Sequence, residues 1–236
     1  MKALFFLRHY NDIDHVTPVI YKWIQSGHQC DVVLIGSPKF RRDFRVQYLS
    51  QLPGVRVAHI RELLSWMDYI KWRLQMLLLT RNVRRIKIIG PLVTKIAERF
   101  DEKEREPLWR HTAELLLDRS FGDYNHGVLA FDWIERNSVI CVEWVEVVVA
   151  MAKNRSLGTV SLPHGDSPHA SQLIRRGERF KEPDATFSAA TIFDRVVVPN
   201  ELCAVRFRPF MAENQLAVLG SPRYCEEWLK ILAGLM

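Results

Sequence analysis

Short, nearly unbroken apolar runs alternate with longer segments of mixed polarity over the first sixty residues of the chain. The runs fall at 3–8, at 30–36 (CDVVLIG) and at 54–60 (GVRVAHI). β-Branched residues and a closing glycine mark the second as a strand. Between the runs lie TPVIYKWIQS at 17–26 and a helical stretch at 40–52. Pro18 suits a first helical turn there, and Gly27 a stop. Strand, helix, strand, helix, strand implies a parallel sheet with helices on its faces. Burial on both faces explains why these strands read as continuous apolar runs rather than alternating ones.

The pattern then changes. Residues 61 to about 118 read as mostly helical, with interruptions near Gly90-Pro91 and around 101–107. HGVLAFDW at 126–133 is a fourth strand. Residues 138–155 form a helix despite their valines, because Val139, Val142, Val145, Val149 and Ala152 recur at helical spacing. GTVSLP at 158–163 is a fifth strand, RVVVPN at 195–200 a sixth and NQLAVLGSP at 214–222 a seventh; a short helix closes the chain. The fold class is therefore α/β, a Rossmann-like doubly wound parallel sheet of about seven strands. One domain is expected over 1–236, with a helical insert at about 61–122 after the third strand.

Composition narrows the picture modestly. At 236 residues the chain is long enough to bury a substantial core, and no segment is low in complexity. The apolar start at 3–7 is too short for a signal-peptide core, and no run is long enough to span a membrane. Cys30, Cys141, Cys203 and Cys225 are scattered without a CxxC pair, which suggests a reducing compartment and no structural zinc. Net charge is +6, with basic clusters at 39–45, 81–87 and 173–181. Such clusters suit phosphates or an anionic surface, or are simply solvated faces. In LLSWMDYIKWRLQMLLLTRNVRRIKIIG the basic residues are mixed with aromatics on an amphipathic pattern. Two readings stay open there: a helix at 64–88 lying in a membrane interface, or a crossover helix that puts 77–79 in the core.

In open parallel sheets ligands bind outside the carboxyl ends of the strands. Three polar stretches fall at such ends: RHYNDIDH (8–15), PHGDSPH (163–169) and GSPRY (220–224). The first is expected to be a loop and contains no glycine, so it is no dinucleotide fingerprint; P-loop and GxSxG motifs are absent as well. Its candidate binding residues are His9, Asp12 and His15, whose spacing fits no recognised metal site. In the second, His164 has the pKa range of a general base, Asp166 is placed to orient it, and Gly165 permits close approach of a substrate. The competing reading is a capped turn, with Asp166 or Ser167 as helix cap and Pro168 in the first turn. His169, Ser221 and Arg223 complete the candidate binding set.

The opening, FFLRHYNDIDHVTPVIYKWIQSGHQCDVVLIG, resembles that of GT-B glycosyltransferases and of UDP-N-acetylglucosamine 2-epimerases. GTVSLPHGDSPH and QLAVLGSPRYCEEW are similar to stretches of bacterial surface-carbohydrate and capsule proteins. These include the CDP-glycerol glycerophosphotransferase-like group, in which a His-Gly pair after a strand supplies a proposed base. The resemblance implies a role in polysaccharide assembly at the cell envelope, with His164 as base and His164-Gly165 matching that pair. It also implies a saccharide or lipid-linked acceptor, no cofactor, and a nucleotide-activated donor held by a second domain that this chain lacks. A cytoplasmic location without nucleic acid as partner is expected, and the basic clusters and the 64–88 helix fit peripheral attachment to an anionic membrane surface that carries a lipid-linked acceptor. Sugar-nucleotide epimerisation and non-catalytic binding of an anionic ligand or partner are the alternatives.

Overall fold

The apolar runs become seven strands in one sheet: β1 (Lys2–Leu7), β2 (Gln29–Leu34), β3 (Val55–His59), β4 (Gly127–Asp132), β5 (Gly158–Leu162), β6 (Arg195–Val198) and β7 (Leu216–Val218). This computed structural model describes residues 1–79, 102–122, 126–132, 142–163 and 185–235, with 91, 95, 124 and 134 as single positions. Every strand pair is parallel, and the order is β3-β2-β1-β4-β5-β6-β7. The fold is Rossmann-like α/β. Winding reverses between β1 and β4, so a crevice is expected outside the carboxyl ends of that pair.

Helices cover both faces. On one face lie α1 (Tyr10–Gln25) and α2 (Phe44–Gln51), which bury Ile13, Val16, Ile20, Val46 and Leu49 against β1 and β2. After β3 come α3 (Ile60–Leu63), α4 (Trp66–Leu79) and α5 (Glu102–Phe121), and α6 (Val142–Asn154) links β4 to β5. Three tryptophans from α4, α5 and α6 (Trp72, Trp109 and Trp144) anchor the second face. Phe6 stacks on Phe131 at 4.3 Å between ring centres, and Trp144 stands edge-on to Phe6 at 5.8 Å. Trp72 meets Trp144 at 5.5 Å, and the Trp144 indole N–H donates to Thr112 Oγ1 at 3.1 Å. A buried indole thus keeps its polar atom paired. The chain ends in α7 (Glu201–Phe207) and α8 (Glu226–Leu235), whose Trp228 returns to Tyr21 of α1 and Tyr48 of α2.

Several boundaries differ from the sequence expectation. The 8–15 stretch is not a loop, because α1 starts at Tyr10 and Pro18 lies in its interior. The cause is Asp12. From the first helical turn its carboxylate reaches back to accept the backbone N–H groups of Arg8 and His9 at 2.6 and 3.0 Å, which turns the chain into the helix directly. Pro18 removes one backbone donor but keeps a helical φ. The 40–52 helix is two pieces, a 3₁₀ turn (Pro38–Arg42) and α2, separated by Asp43, which caps α2 by accepting from the N–H of Arg45 at 3.0 Å. No break occurs at 102–107, where Pro107 sits in the second turn of α5. Of 214–222 only Leu216–Val218 is strand.

Candidate functional site

Two neighbourhoods form along the carboxyl edge. The first lies at the winding reversal. Arg8 follows β1, Asp132 ends β4, and Asp12 stands in the first turn of α1. Asp12 and Asp132 are fully buried and Arg8 is 6% exposed. The Arg8 guanidinium is ion-paired with Asp132, and its Nε lies 3.6 Å from Asp12 Oδ2. One buried cation is thus set against two buried carboxylates, tying β1, α1 and β4 together across 124 residues of sequence. Their mutual pairing offsets the cost of burying these charges. His9, half-buried, is the N-cap residue of α1 at this point.

Close backbone packing supports the cluster. A side-chain carbon on Gly36, just past β2, would stand 2.0 Å from the Arg8 carbonyl oxygen and 2.4 Å from the Phe40 ring. Glycine is therefore required for β1 and the β2 exit to approach. The Gly36 carbonyl accepts from His59 Nε2 at 3.2 Å, while His59 Nδ1 accepts from the N–H of Arg61 at 3.1 Å and caps α3. These partners place the proton on Nε2. Burial holds the His59 pKa below the usual histidine range.

The second neighbourhood is a cleft of about 430 Å³ at the ends of β5, β6 and β7, on the α1 face of the sheet. Its wall is largely apolar, with Val19, Leu162, Pro163 and Val197, and Ser221, Tyr224 and Cys225 bring polar side chains to it. The Ser221 hydroxyl is buried and has no hydrogen-bond partner among the described residues. Arg223 does not point free into solvent: its Nε pairs with Asp14 of α1 at 3.0 Å and its guanidinium lies over the Tyr224 ring at 5.2 Å. Asp14 also takes Arg45 Nη1 at 2.6 Å, so α1 holds arginines from both sides.

The structure therefore joins His9 and Asp12 to two residues the sequence reading passed over, Arg8 and Asp132. It places Ser221 and Arg223 in the cleft region, and it buries His15 within α1. His164, Gly165, Asp166 and His169 lie outside the described residues, as do the basic clusters at 81–87 and 173–181. Among the described residues no group of three or more His, Cys, Asp or Glu side chains is arranged to hold a metal ion. Arg8 and Asp132 gave a faint signal in sequence: a charged residue closing an apolar strand beside the expected switch point.

No protein-family model matches this chain, and no curated protein sequence does. Solved structures do. A UDP-GlcNAc 2-epimerase from Neisseria meningitidis, bound to UDP-GlcNAc, superposes with a TM-score of 0.53 at 9% identity, covering 100% of this chain and 50% of that one. The calicheamicin glycosyltransferase CalG4 and the glycosyltransferase of kitacinnamycin each give 0.44, at 14% and 13% identity. They cover 93% of this chain and 52% and 51% of theirs. The chain thus spans about half the length of these proteins. At so low an identity, the likeness to the epimerase shows the fold alone.

Proposed function

We propose that this chain is the acceptor-side domain of a GT-B-like glycosyl- or glycerophosphotransferase of bacterial surface-polysaccharide assembly. The carrying observation is the Arg8–Asp12–Asp132 cluster at the winding reversal. The positive end of α1, where a nucleotide phosphate would otherwise be favoured, already receives the Asp12 carboxylate. Among the described residues two carboxylates face one guanidinium here, which favours a neutral, hydroxyl-bearing acceptor over a pyrophosphate. That division leaves the nucleotide-activated donor to a second domain and assigns no cofactor to this one.

The apolar cleft supports the same reading. Its wall includes Pro163, and the next residue in sequence is His164. In the proposed reaction His164 takes the proton from an acceptor hydroxyl, and Asp166 orients the imidazole. The hydroxyl oxygen attacks the activated carbon or phosphorus, whose bond to the nucleotide breaks, and the nucleotide leaves with the electron pair. Ser221 hydrogen-bonds the acceptor from the cleft wall, and Gly165 lets it approach. His9 and Arg223 stand on the approach and His169 is assigned a binding role beside His164 in the sequence, with His15 and Asp12 holding α1 in place. We assign the reaction to the cytoplasm, where nucleotide-activated donors are made.

Product analysis with the full-length protein tests the proposal. A panel of nucleotide-activated sugars and CDP-glycerol is incubated with and without an oligosaccharide or lipid-linked acceptor. Free nucleotide that appears only with acceptor is the expected result. An epimerised nucleotide sugar formed without acceptor would show the one-substrate reaction instead. Ligand binding with no product under any condition would make the domain a binding module.

A further inference from the structure

The helix α4 carries an apolar surface that the sheet does not use. Its core-facing residues are Trp72 and Met76, both buried. On the other side Trp66, Met67, Ile70 and Leu74 are 66, 54, 42 and 53% exposed. At 3.6 residues per turn these four fall within an arc of about 100°. Lys71 and Arg73, both exposed, stand roughly 20–40° beyond its two edges. An exposed apolar stripe bordered on each side by a cation is not the pattern of an ordinary solvated helix, which turns its charges outward.

Charge says what covers it. Asp68 lies off the stripe and is engaged by Ser65 and His111. Glu62, in the preceding helix, is paired with Arg41 at 2.7 Å. That pair brings the exposed Lys39, Arg41 and Arg42 of the 3₁₀ turn alongside the α3–α4 junction. From 69 to 97 the sequence contains basic residues and no acidic one. No helix among the described residues is long and apolar enough to cross a membrane. A surface apolar at its centre and cationic around it complements the interface of an anionic bilayer, with the helix in the plane of the membrane and its indole at headgroup depth.

We propose that α4 is an interfacial docking helix, inserting Trp66, Met67, Ile70 and Leu74 into the surface of an anionic phospholipid membrane, with Lys71 and Arg73 at the headgroups. Its place in the fold gives this a consequence for the site. Tyr69 meets His59, the last residue of β3, at 6.2 Å between ring centres, and Trp72 meets Trp144 in the first turn of α6. Docking through α4 therefore brings the carboxyl edge of the sheet towards the lipid. This inference stands independently of the transferase reading.

Vesicle co-sedimentation of the full-length protein tests it without any turnover. The probes are vesicles of pure phosphatidylcholine and of an equimolar phosphatidylcholine–phosphatidylglycerol mixture. Wild type is expected to sediment with the anionic vesicles and far less with the neutral ones. The triple variant Trp66→Ser, Ile70→Ser, Leu74→Ser is expected to lose at least ten-fold in partitioning while melting at the wild-type temperature. Lys71→Gln with Arg73→Gln should weaken anionic-vesicle binding by roughly thirty-fold, since each cation near a charged bilayer is worth about 1 kcal/mol. Wild type that fails to sediment, or a triple variant that sediments equally, overturns the proposal. So does a wild-type dimer that ignores vesicles and that the triple variant dissolves, because the stripe would then be covered by a second copy.

Discussion

Helices α1 and α4 divide labour in opposite ways. The first reads YNDIDHVTPVIYKWIQ and buries Asp12, His15 and Thr17; the second reads WMDYIKWRLQMLLL and exposes a tryptophan, a methionine, an isoleucine and two leucines. Each inverts the ordinary rule that polarity faces water. In α1 the inversion is compensated internally: Asp12 takes two backbone N–H groups and shares Arg8 with Asp132. In α4 the stripe of Trp66, Met67, Ile70 and Leu74 stays exposed with no apolar cover among the described residues, as a surface that meets a partner would. A buried polar group that is satisfied builds the scaffold of a site, whereas an exposed apolar one marks an interface.

The comparison can be broken by substitution, and the largest effect is expected at Arg8. Arg8→Met removes the guanidinium that two buried carboxylates share and should cost about 3–5 kcal/mol of stability in chemical denaturation. A loss below about 1 kcal/mol would mean that the cluster is solvated. Next comes Gly36→Ala, where the added methyl group meets the backbone carbonyl of Arg8. A loss of about 2–3 kcal/mol is expected, at the upper end of overpacking costs. A neutral Gly36→Ala would show that the β1–β2 exit relaxes freely.

The third test is pH. His59 is held neutral by burial, its pKa lowered from 6.5, so the unfolded state binds its proton more readily than the folded one. Its contribution is fully present above pH 6.5 and is lost as pH falls below that towards the folded value. His59→Asn keeps a cap for α3 without a titrating group, so it should flatten this part of the stability–pH curve. An unchanged slope would assign it to other groups. The smallest effect belongs to α4: Leu74→Ser should change stability by no more than about 0.5 kcal/mol, as for other surface positions. A loss above 2 kcal/mol would mean that Leu74 is part of the core.

The sheet was the most legible feature. Strands buried on both faces leave continuous apolar runs, and 3–8, 30–36, 54–60 and 158–163 nearly coincide with β1, β2, β3 and β5. The start of α1 was hidden because N-D-I-D-H looks like a loop until Asp12 is seen capping the chain behind it. The Arg8–Asp132 pair was hidden for another reason. Its members stand 124 residues apart, and nothing local marks either as the other's partner. Ser221 and Arg223 stand out locally in the sequence, but the Asp14 that holds Arg223 belongs to a distant helix. For α4 the sequence offered core and interface as rivals. The structure turns Trp72 inward and leaves Trp66 exposed.

The central claim is that the carboxyl edge deprotonates an acceptor. It is tested most directly by the rate of acceptor-dependent nucleotide release from the full-length protein, wild type against His164→Ala. Loss of a general base predicts a fall of about 10²–10⁴-fold at unchanged melting temperature. Equal rates in the two proteins would contradict the account.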